Sequence, residues 1–508
     1  MDATHGRRPA ALLVAGTTSD AGKSVVTTAL CRALRRRGLR VAPYKAQNMS
    51  NNSMVTADGA EIGRAQWVQA IAAGAEPEAA MNPVLLKPGS DLRSHVVVMG
   101  RPHGHLDAGE FAGGRGELAR AAFDAFDDLS SRYDVVVCEG AGSPAEINLR
   151  HHDYVNMGLA QHGRIPTILV GDIDRGGVFA AMHGTLALLD AADQSLMSGF
   201  VVNKFRGDLD LLAPGLRQIE ALTGRPVLGV LPWRTGLWLD SEDSLALESR
   251  PQHDSARGGP GLRVAVVMLP RISNFTDIDA LSLEPGVEVT FARDARALAD
   301  ADVVILPGTR ATLADLRWLR ERGLAEAVCA HVARGGVVLG ICGGFQMLGQ
   351  TLEDPAGVEG PPGATAQGLG LLDVDTRFDQ DKVLRLSRGE AFGVEASGYE
   401  IHHGRVAVGH AEPFLGGARA GSVFGTMWHG SFEGDELRRA WLTESAVLTG
   451  RDTFRVGMTS FEAARQRRID DLADAVEEHL DMAAILRLVE QGAPDDLPVI
   501  KGGLVPTG

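Results

Sequence analysis

Cys342 ends the apolar run Val337-Val-Leu-Gly-Ile341 and is followed by Gly343-Gly344, while Trp428-His429-Gly430 lies further along the chain. A cysteine at a strand end and a distant histidine are the parts of a thiolate nucleophile and its base. A cysteine serving only as a small buried apolar residue would have no use for the flanking glycines. Far upstream, Gly16-Thr-Thr-Ser-Asp-Ala-Gly-Lys-Ser24 has the composition of a loop that cradles nucleotide phosphates. The residues describe two chemical centres in one chain.

In the upstream centre, Gly16, Thr17, Asp20 and Gly22 belong to a loop between an apolar run and an amphipathic stretch that begins near Ser24. Glycines let backbone N–H groups approach phosphate oxygens, Lys23 neutralises charge, and Ser24 can ligate magnesium at the helix start. A ligand-free glycine-rich turn is the plainer alternative, but strand, loop, lysine, hydroxyl and helix occur here in the required order. Glu139 ends Val135-Val-Val-Cys138 and is placed as a magnesium-associated carboxylate; Lys45 ends the run before it, where a cation can stabilise a transferring phosphoryl group. Asn203-Lys204 also closes a strand, but Arg206 stands where a guanine-reading motif needs aspartate, so ATP is the expected nucleotide.

Positioning such groups takes strands that end at one edge. Ala11–Ala15, Leu39–Lys45, Asp134–Cys138, Pro166–Gly171 and Gly199–Asn203 are apolar runs separated by helical stretches such as Ser24–Arg37, the pattern of an α/β domain with a parallel sheet. Ligands bind such sheets at the strands' carboxyl ends. Periodicity fails across Ser241–Gly261, and a second α/β series follows with Leu262–Leu269, Asp302–Leu306, Gly336–Leu339 and Phe424–Trp428. The expected organisation is a synthetase-type domain at 1–245, a linker at 246–261, a second domain at 262–455, and a helical segment with a tail at 456–508. Glu353–Gly363 reads as a surface loop, and Ile469, Leu472, Val476 and Leu480 mark the apolar face of a helix docked on a core.

Composition sets the compartment and excludes some partners. A net charge of −15 argues against a nucleic-acid surface, which needs clustered lysine and arginine. The four cysteines form neither a disulfide framework nor a CxxC metal site, which suits a reducing cytoplasm. Arg7-Arg8 precedes an apolar stretch that runs straight into the phosphate loop, so an export signal is not expected, and no window approaches the roughly 18 apolar residues of a membrane span.

Five residues separate Gly16 from Gly22, where the usual phosphate loop has four. The loop resembles that of the dethiobiotin synthetase-like enzymes. The second centre resembles a class I glutamine amidotransferase, which implies that Cys342 attacks the carboxamide of L-glutamine. Backbone N–H groups at Gly308 and Gly343 would form the oxyanion hole, and His429 would protonate the departing ammonia. That class usually has a glutamate two residues after the histidine, whereas this chain has Ser431 there. Either Glu433 orients the imidazole from another direction, or a Cys–His dyad operates alone.

The two domains together resemble the corrinoid amidases, and most of all the cobyric acid synthase family. The strings that carry this resemblance are Lys45-Ala-Gln-Asn-Met49, Asp58-Gly-Ala-Glu-Ile-Gly-Arg-Ala-Gln66, Glu146-Ile-Asn-Leu149, Asp153-Tyr-Val-Asn-Met-Gly158, Gly171-Asp-Ile-Asp-Arg-Gly-Gly177 and Ser397-Gly-Tyr-Glu-Ile-His-His-Gly404. The resemblance implies amidation of adenosylcobyrinic acid a,c-diamide to adenosylcobyric acid, with ATP, Mg²⁺ and L-glutamine; it sets no oligomeric state. Asp172 and Asp174 are candidates to hold magnesium or position the activated carboxylate, and Arg175 to bind a propionate. Asp58 and Glu61 are further candidates for magnesium or substrate; a polar loop with capping aspartates is the plainer reading of all these acids. Cobyrinic acid a,c-diamide synthase shares the domain order, a CTP synthase would carry the His-x-Glu pattern that Ser431 breaks, and a partition-type ATPase would need a second lysine early in the loop.

Overall fold

The computed structural model describes residues 10–88, 93–107, 115–234 and 261–500. The expected linker, all but its last residue, and the tail 501–508 lie outside these residues. The first domain is built on a six-stranded sheet in the order Val227–Pro232, Met197–Phe205, Thr167–Asp172, Ala11–Gly16, Val135–Glu139 and Val41–Tyr44, with every pairing parallel. Ala11–Gly16 is buried along its whole length, as an apolar run covered on both faces should be. The register sets Val14 beside Glu139, Gly16 beside Val170, and Asp172 beside Asn203. The polar residues that end these strands therefore gather at one edge.

The second sheet runs Val287–Ala292, Leu262–Val267, Val303–Leu306, Val337–Ile341, Val423–Thr426, Gly417–Ala420 and Glu412–Phe414; the first five strands are parallel and the last two join in antiparallel fashion. Val337–Ile341 is the middle strand. Its pairing of Ile341 with Thr426 and of Gly340 with Leu306 brings the turns after all three strands together.

The expected runs form strands with trimmed ends: Leu39–Lys45 contracts to Val41–Tyr44, and Phe424–Trp428 shifts to Val423–Thr426. The segment expected as a surface loop at Glu353–Gly363 begins inside the strand Thr351–Asp354. Two additions were not anticipated: the antiparallel hairpin of Val374–Ala391 and Val394–Val408, and a mixed sheet in which Gln47–Met49 pairs parallel with Val84–Pro88 and Arg93–Val98 and Arg101–Asp107 follow in antiparallel fashion. The strand Val374–Ala391 alternates buried and charged positions at its start, then becomes polar and exposed, so no long apolar run announces it.

The helices Phe461–His479 and Met482–Gln491 follow the second domain in sequence yet pack on the first. Ile469, Leu472, Val476, Leu480 and Ile485 share a core with Val26, Leu30 and Leu34 of the helix Lys23–Arg36. Ser460 and Asp481 cap the two helices, their side chains accepting from the N–H of Ala463 and Ala484. Arg36 reaches Asp474 at 2.6 Å and Asp470 at 2.9 Å across the solvent edge, where exposed pairs add little stability. Among the described residues no helix is long and apolar enough to cross a membrane. Ile469 is fully buried in this shared core, so Ile469→Ala is expected to cost about 2–5 kcal/mol, read from the denaturant midpoint of the full-length protein. An unmoved midpoint would refute the packing.

Candidate active sites

Cys342 stands between the strand Val337–Ile341 and the short helix Gly343–Leu348, with φ 51° and ψ −109°. A non-glycine residue with positive φ is strained, and at a strand-to-helix turn that strain presents the side chain at the sheet edge. A Cβ added at Gly344 would fall 2.0 Å from the carbonyl oxygen of Leu306, so only glycine lets the helix start so close to the neighbouring strand. Cys342 and His429 line one cavity of about 30 Å³. Gly308 runs against the imidazole: a Cβ built on it would lie 2.8 Å from His429 Cε1.

His429 is held on three sides. Its backbone pairs with Tyr399 in both directions, at 2.8 and 3.0 Å, and the tyrosine ring stacks on the imidazole at 5.5 Å. Its Nδ1 lies 2.7 Å from Asp277 Oδ2, while Asp277 Oδ1 accepts from the N–H of Gly430, also at 2.7 Å. Burial alone would push the imidazole pKa down; the charges of Asp277 and Cys342 outweigh it and raise the value to about 10. This geometry corrects both expectations for the histidine. Glu433 does not orient it, because that carboxylate is engaged by Arg64 at 2.6 Å and Arg465 at 2.8 Å. Nor is His429 without a carboxylate, since Asp277 reaches it from 152 positions upstream. Asp277 follows the strand Leu262–Val267, and nothing local in its sequence marks it.

At the other edge, Lys23 Nζ donates to the carbonyl oxygens of Thr18, Ser19 and Gly142 at 2.9, 3.1 and 3.1 Å. Glu139 is fully buried and receives Ser24 Oγ at 2.8 Å, Lys45 Nζ at 2.9 Å and Gln69 Nε2 at 2.6 Å. Gln69 was missing from the sequence reading, because it lies inside the helix Arg64–Ala73 rather than at a strand end. Gly22 has φ 102°, and Asn203 braces the loop there by donating to the carbonyl oxygen of Ala21 at 2.9 Å. Thr17 spends its N–H on the Val170 carbonyl. Asp20, Asp172, Asp174 and Arg175 do meet at this edge: Arg175 pairs with Asp20 at 2.5 Å, and Asp172 takes Lys204 at 2.7 Å and the Asp174 N–H at 2.9 Å.

Asp58 and Glu61 are not part of this group. They belong to the hairpin of Ser53–Val55 and Glu61–Gly63, which faces the other domain; Asp58 bonds Thr56, and Glu61 is buried between Lys87, at 2.6 Å, and Lys382. Glu61 thus has its charge matched by two lysines, which corrects its candidacy for magnesium. Among the described residues no three His, Cys, Asp or Glu side chains cluster as a self-sufficient metal site.

Residues 12–245 match the model of the CobQ/CobB/MinD/ParA nucleotide binding domain, and residues 263–437 that of the CobB/CobQ-like glutamine amidotransferase domain. The chain is 65% identical to the cobyric acid synthase of Mycobacterium marinum, over 97% of its own length and 99% of that protein's. It is 64% identical to the cobyric acid synthase of Mycobacterium tuberculosis, over the same shares of the two chains. The chain belongs to the cobyric acid synthase family.

In this cobyric acid synthase family member the two domains meet through a polar interface. Asn274 Oδ1 accepts from the N–H of Ser53 at 2.9 Å, and the N–H of Phe275 donates to Asn52 Oδ1 at 3.3 Å. Those contacts fix the turn that carries Asp277. Asp277→Asn is expected to lower the rate of glutamine hydrolysis at least about 100-fold. The sign of the pH effect follows from the geometry: Asp277 helps hold the imidazolium proton up to about pH 10, and without its charge burial favours the neutral ring. The alkaline limb of glutamate release should therefore move to lower pH in Asp277→Asn; an unmoved limb would remove Asp277 from the role.

Proposed function

We propose that this enzyme converts adenosylcobyrinic acid a,c-diamide to adenosylcobyric acid by amidating its b, d, e and g carboxylates, at the expense of ATP and L-glutamine. Family membership makes it an amidating enzyme of cobalamin biosynthesis. The observation that carries the finer reading is the pairing, in one chain, of a Cys342–His429–Asp277 arrangement with a phosphate loop whose lysine and serine meet the Glu139 segment.

In the second domain, the Cys342 sulfur attacks the carboxamide carbon of glutamine, and N–H groups of Gly308 and Gly343 receive the developing oxyanion. His429 delivers a proton to the departing nitrogen, which leaves as ammonia, and water then releases glutamate from the thioester. In the first domain, a corrinoid carboxylate oxygen attacks the γ-phosphorus of ATP; ADP leaves and an acyl phosphate forms. Ammonia adds to that acyl carbon and phosphate departs with the original carboxylate oxygen. Lys23 and Lys45 offset charge on the transferring group. Ser24 and Glu139 would hold Mg²⁺, which supplies further neutralisation at the phosphates when bound. Ammonia is mostly protonated near neutrality, so generating it within the same protein raises its effective concentration. The four unpaired cysteines fit a reducing cytoplasm.

Full-length protein supplied with ATP, Mg²⁺, glutamine and the a,c-diamide should add amides stepwise, read as corrinoid mass. Cys342→Ala should abolish the use of glutamine and keep amidation from added ammonium; failure with both nitrogen sources would assign Cys342 another role. Lys23→Ala should reduce amidation from either source by at least about 100-fold, through lost phosphate stabilisation. Unchanged corrinoid mass in a folded protein with active glutaminase would overturn the substrate assignment.

A further inference from the structure

Three of the strings that mark the family converge on a place the reactions above do not use. A cavity of about 110 Å³ is lined by Gln47, Arg115, Ala141, Tyr154 and Asn156 among others. It abuts the phosphate loop, since Ala141 lies between the buried carboxylate Glu139 and Gly142, whose carbonyl oxygen accepts from Lys23. Asn156 is only 6% exposed and donates through Nδ2 to the Ala141 carbonyl at 2.7 Å, while its Oδ1 has no partner among the described residues. That oxygen lies hard against the segment, as a Cβ added at Gly140 would fall 2.1 Å from it. A buried acceptor left unpaired is costly and marks a place where a donor belongs.

Exposed apolar side chains stand at this cavity and next to its lining. Leu149 lines it and is 39% exposed; Ile147, two positions earlier in the same turn of 3₁₀-helix, is 43% exposed. Strand alternation puts Met49 on the same face as Gln47, which lines the cavity, and Met49 is 52% exposed. Single exposed apolar side chains need no explanation, but Leu149 in the lining, with Ile147 and Met49 each two positions from a lining residue, makes an apolar group beside the phosphate loop. Arg115 adds a buried cation, its guanidinium donating to the His152 carbonyl. Of the acids that line the cavity, Asp153 is already engaged by the N–H groups of Val155, Asn156 and Gly158, which leaves Glu146 at the rim.

We propose that this is the corrinoid site: the macrocycle rests on Met49, Ile147 and Leu149, and one side chain enters the cavity lined by Arg115, Tyr154 and Asn156. The inference rests on the substrate proposed above and adds where it binds. A corrin has broad apolar faces and a rim of carboxylates and amides, which matches an apolar shelf with a cation and polar side chains beneath it. The carboxylate side chain that enters is thereby delivered next to the Glu139 segment, where phosphoryl transfer takes place.

The test is equilibrium dialysis of full-length protein against adenosylcobyrinic acid a,c-diamide, read by the visible absorbance of the corrinoid. Replacing both Met49 and Leu149 with Gln should weaken binding at least about tenfold, with glutamine hydrolysis and ATP binding unchanged within about twofold. Asn156→Asp, which adds charge beside the acceptor, should weaken it as well. Unchanged affinity in the double variant would overturn the shelf while leaving the substrate in place. No binding by the unsubstituted protein, with glutaminase active, would instead overturn the substrate and the site together. Hydrogen exchange on the unsubstituted protein gives an independent reading: added corrinoid should slow exchange within 47–49 and 147–156, and slowing confined to the second domain would refute the site.

Discussion

A carboxylate taken wholly out of water has to be compensated, and Glu139 is such a group. Lys45 supplies the opposite charge, Ser24 and Gln69 supply hydrogen bonds, and removal of one partner from a pair so buried costs about 3–5 kcal/mol. The requirement fixes three elements at once: the start of the helix Lys23–Arg36, the end of the strand Val41–Tyr44, and the helix Arg64–Ala73. The last of these extends roughly 15 Å at 1.5 Å per residue. Its far end, Arg64, pairs with Glu433, four positions from His429 in sequence. One helix is thus anchored both at Glu139 and beside the His429 turn of the other domain.

Charge matching also decides how the domains meet. Glu61 of the first domain is enclosed by Lys87 of its own domain and Lys382 of the second. Two ammonium groups outweigh the burial that would raise this carboxyl, and hold it well below the usual carboxylate range; burial, only partly countered by Glu61, brings Lys382 down to about 7. Lys87 and Lys382 line the Cys342 cavity, so the first domain forms part of the wall around Cys342 and His429. The reciprocal bonds of Asn52 and Ser53 with Phe275 and Asn274 act on the turn that leads to Asp277. A glutaminase domain cut away from its partner would lose these supports.

The legible part of this structure is the part that repeats local rules. Buried parallel strands read as apolar runs, and Lys23, Ser24, Lys45, Glu139, Cys342 and Gly308 stand at their ends, so a linear reading finds them. Asp277 and Gln69 escaped for a different reason: each acts through a contact made only when distant segments fold together, 152 and 70 positions from its partner. Glu61 misled because an acidic residue in a family string looks the same whether it meets a metal or two lysines. The polar hairpin of Val374–Ala391 and Val394–Val408 escaped because its pairing, rather than an apolar core, makes it a strand pair.

The return of the last two helices to the first domain has a consequence for biosynthesis. The apolar face of the helix Lys23–Arg36 is completed by Ile469, Leu472, Val476 and Ile485, residues that leave the ribosome more than four hundred positions later. The glutaminase domain is in effect an insertion between the halves of a core that only the full-length chain can close. Domains ordinarily fold in turn as they emerge. Here the first to appear is the last to be finished, and its greasy flank has to be shielded from aggregation for nearly the whole of translation.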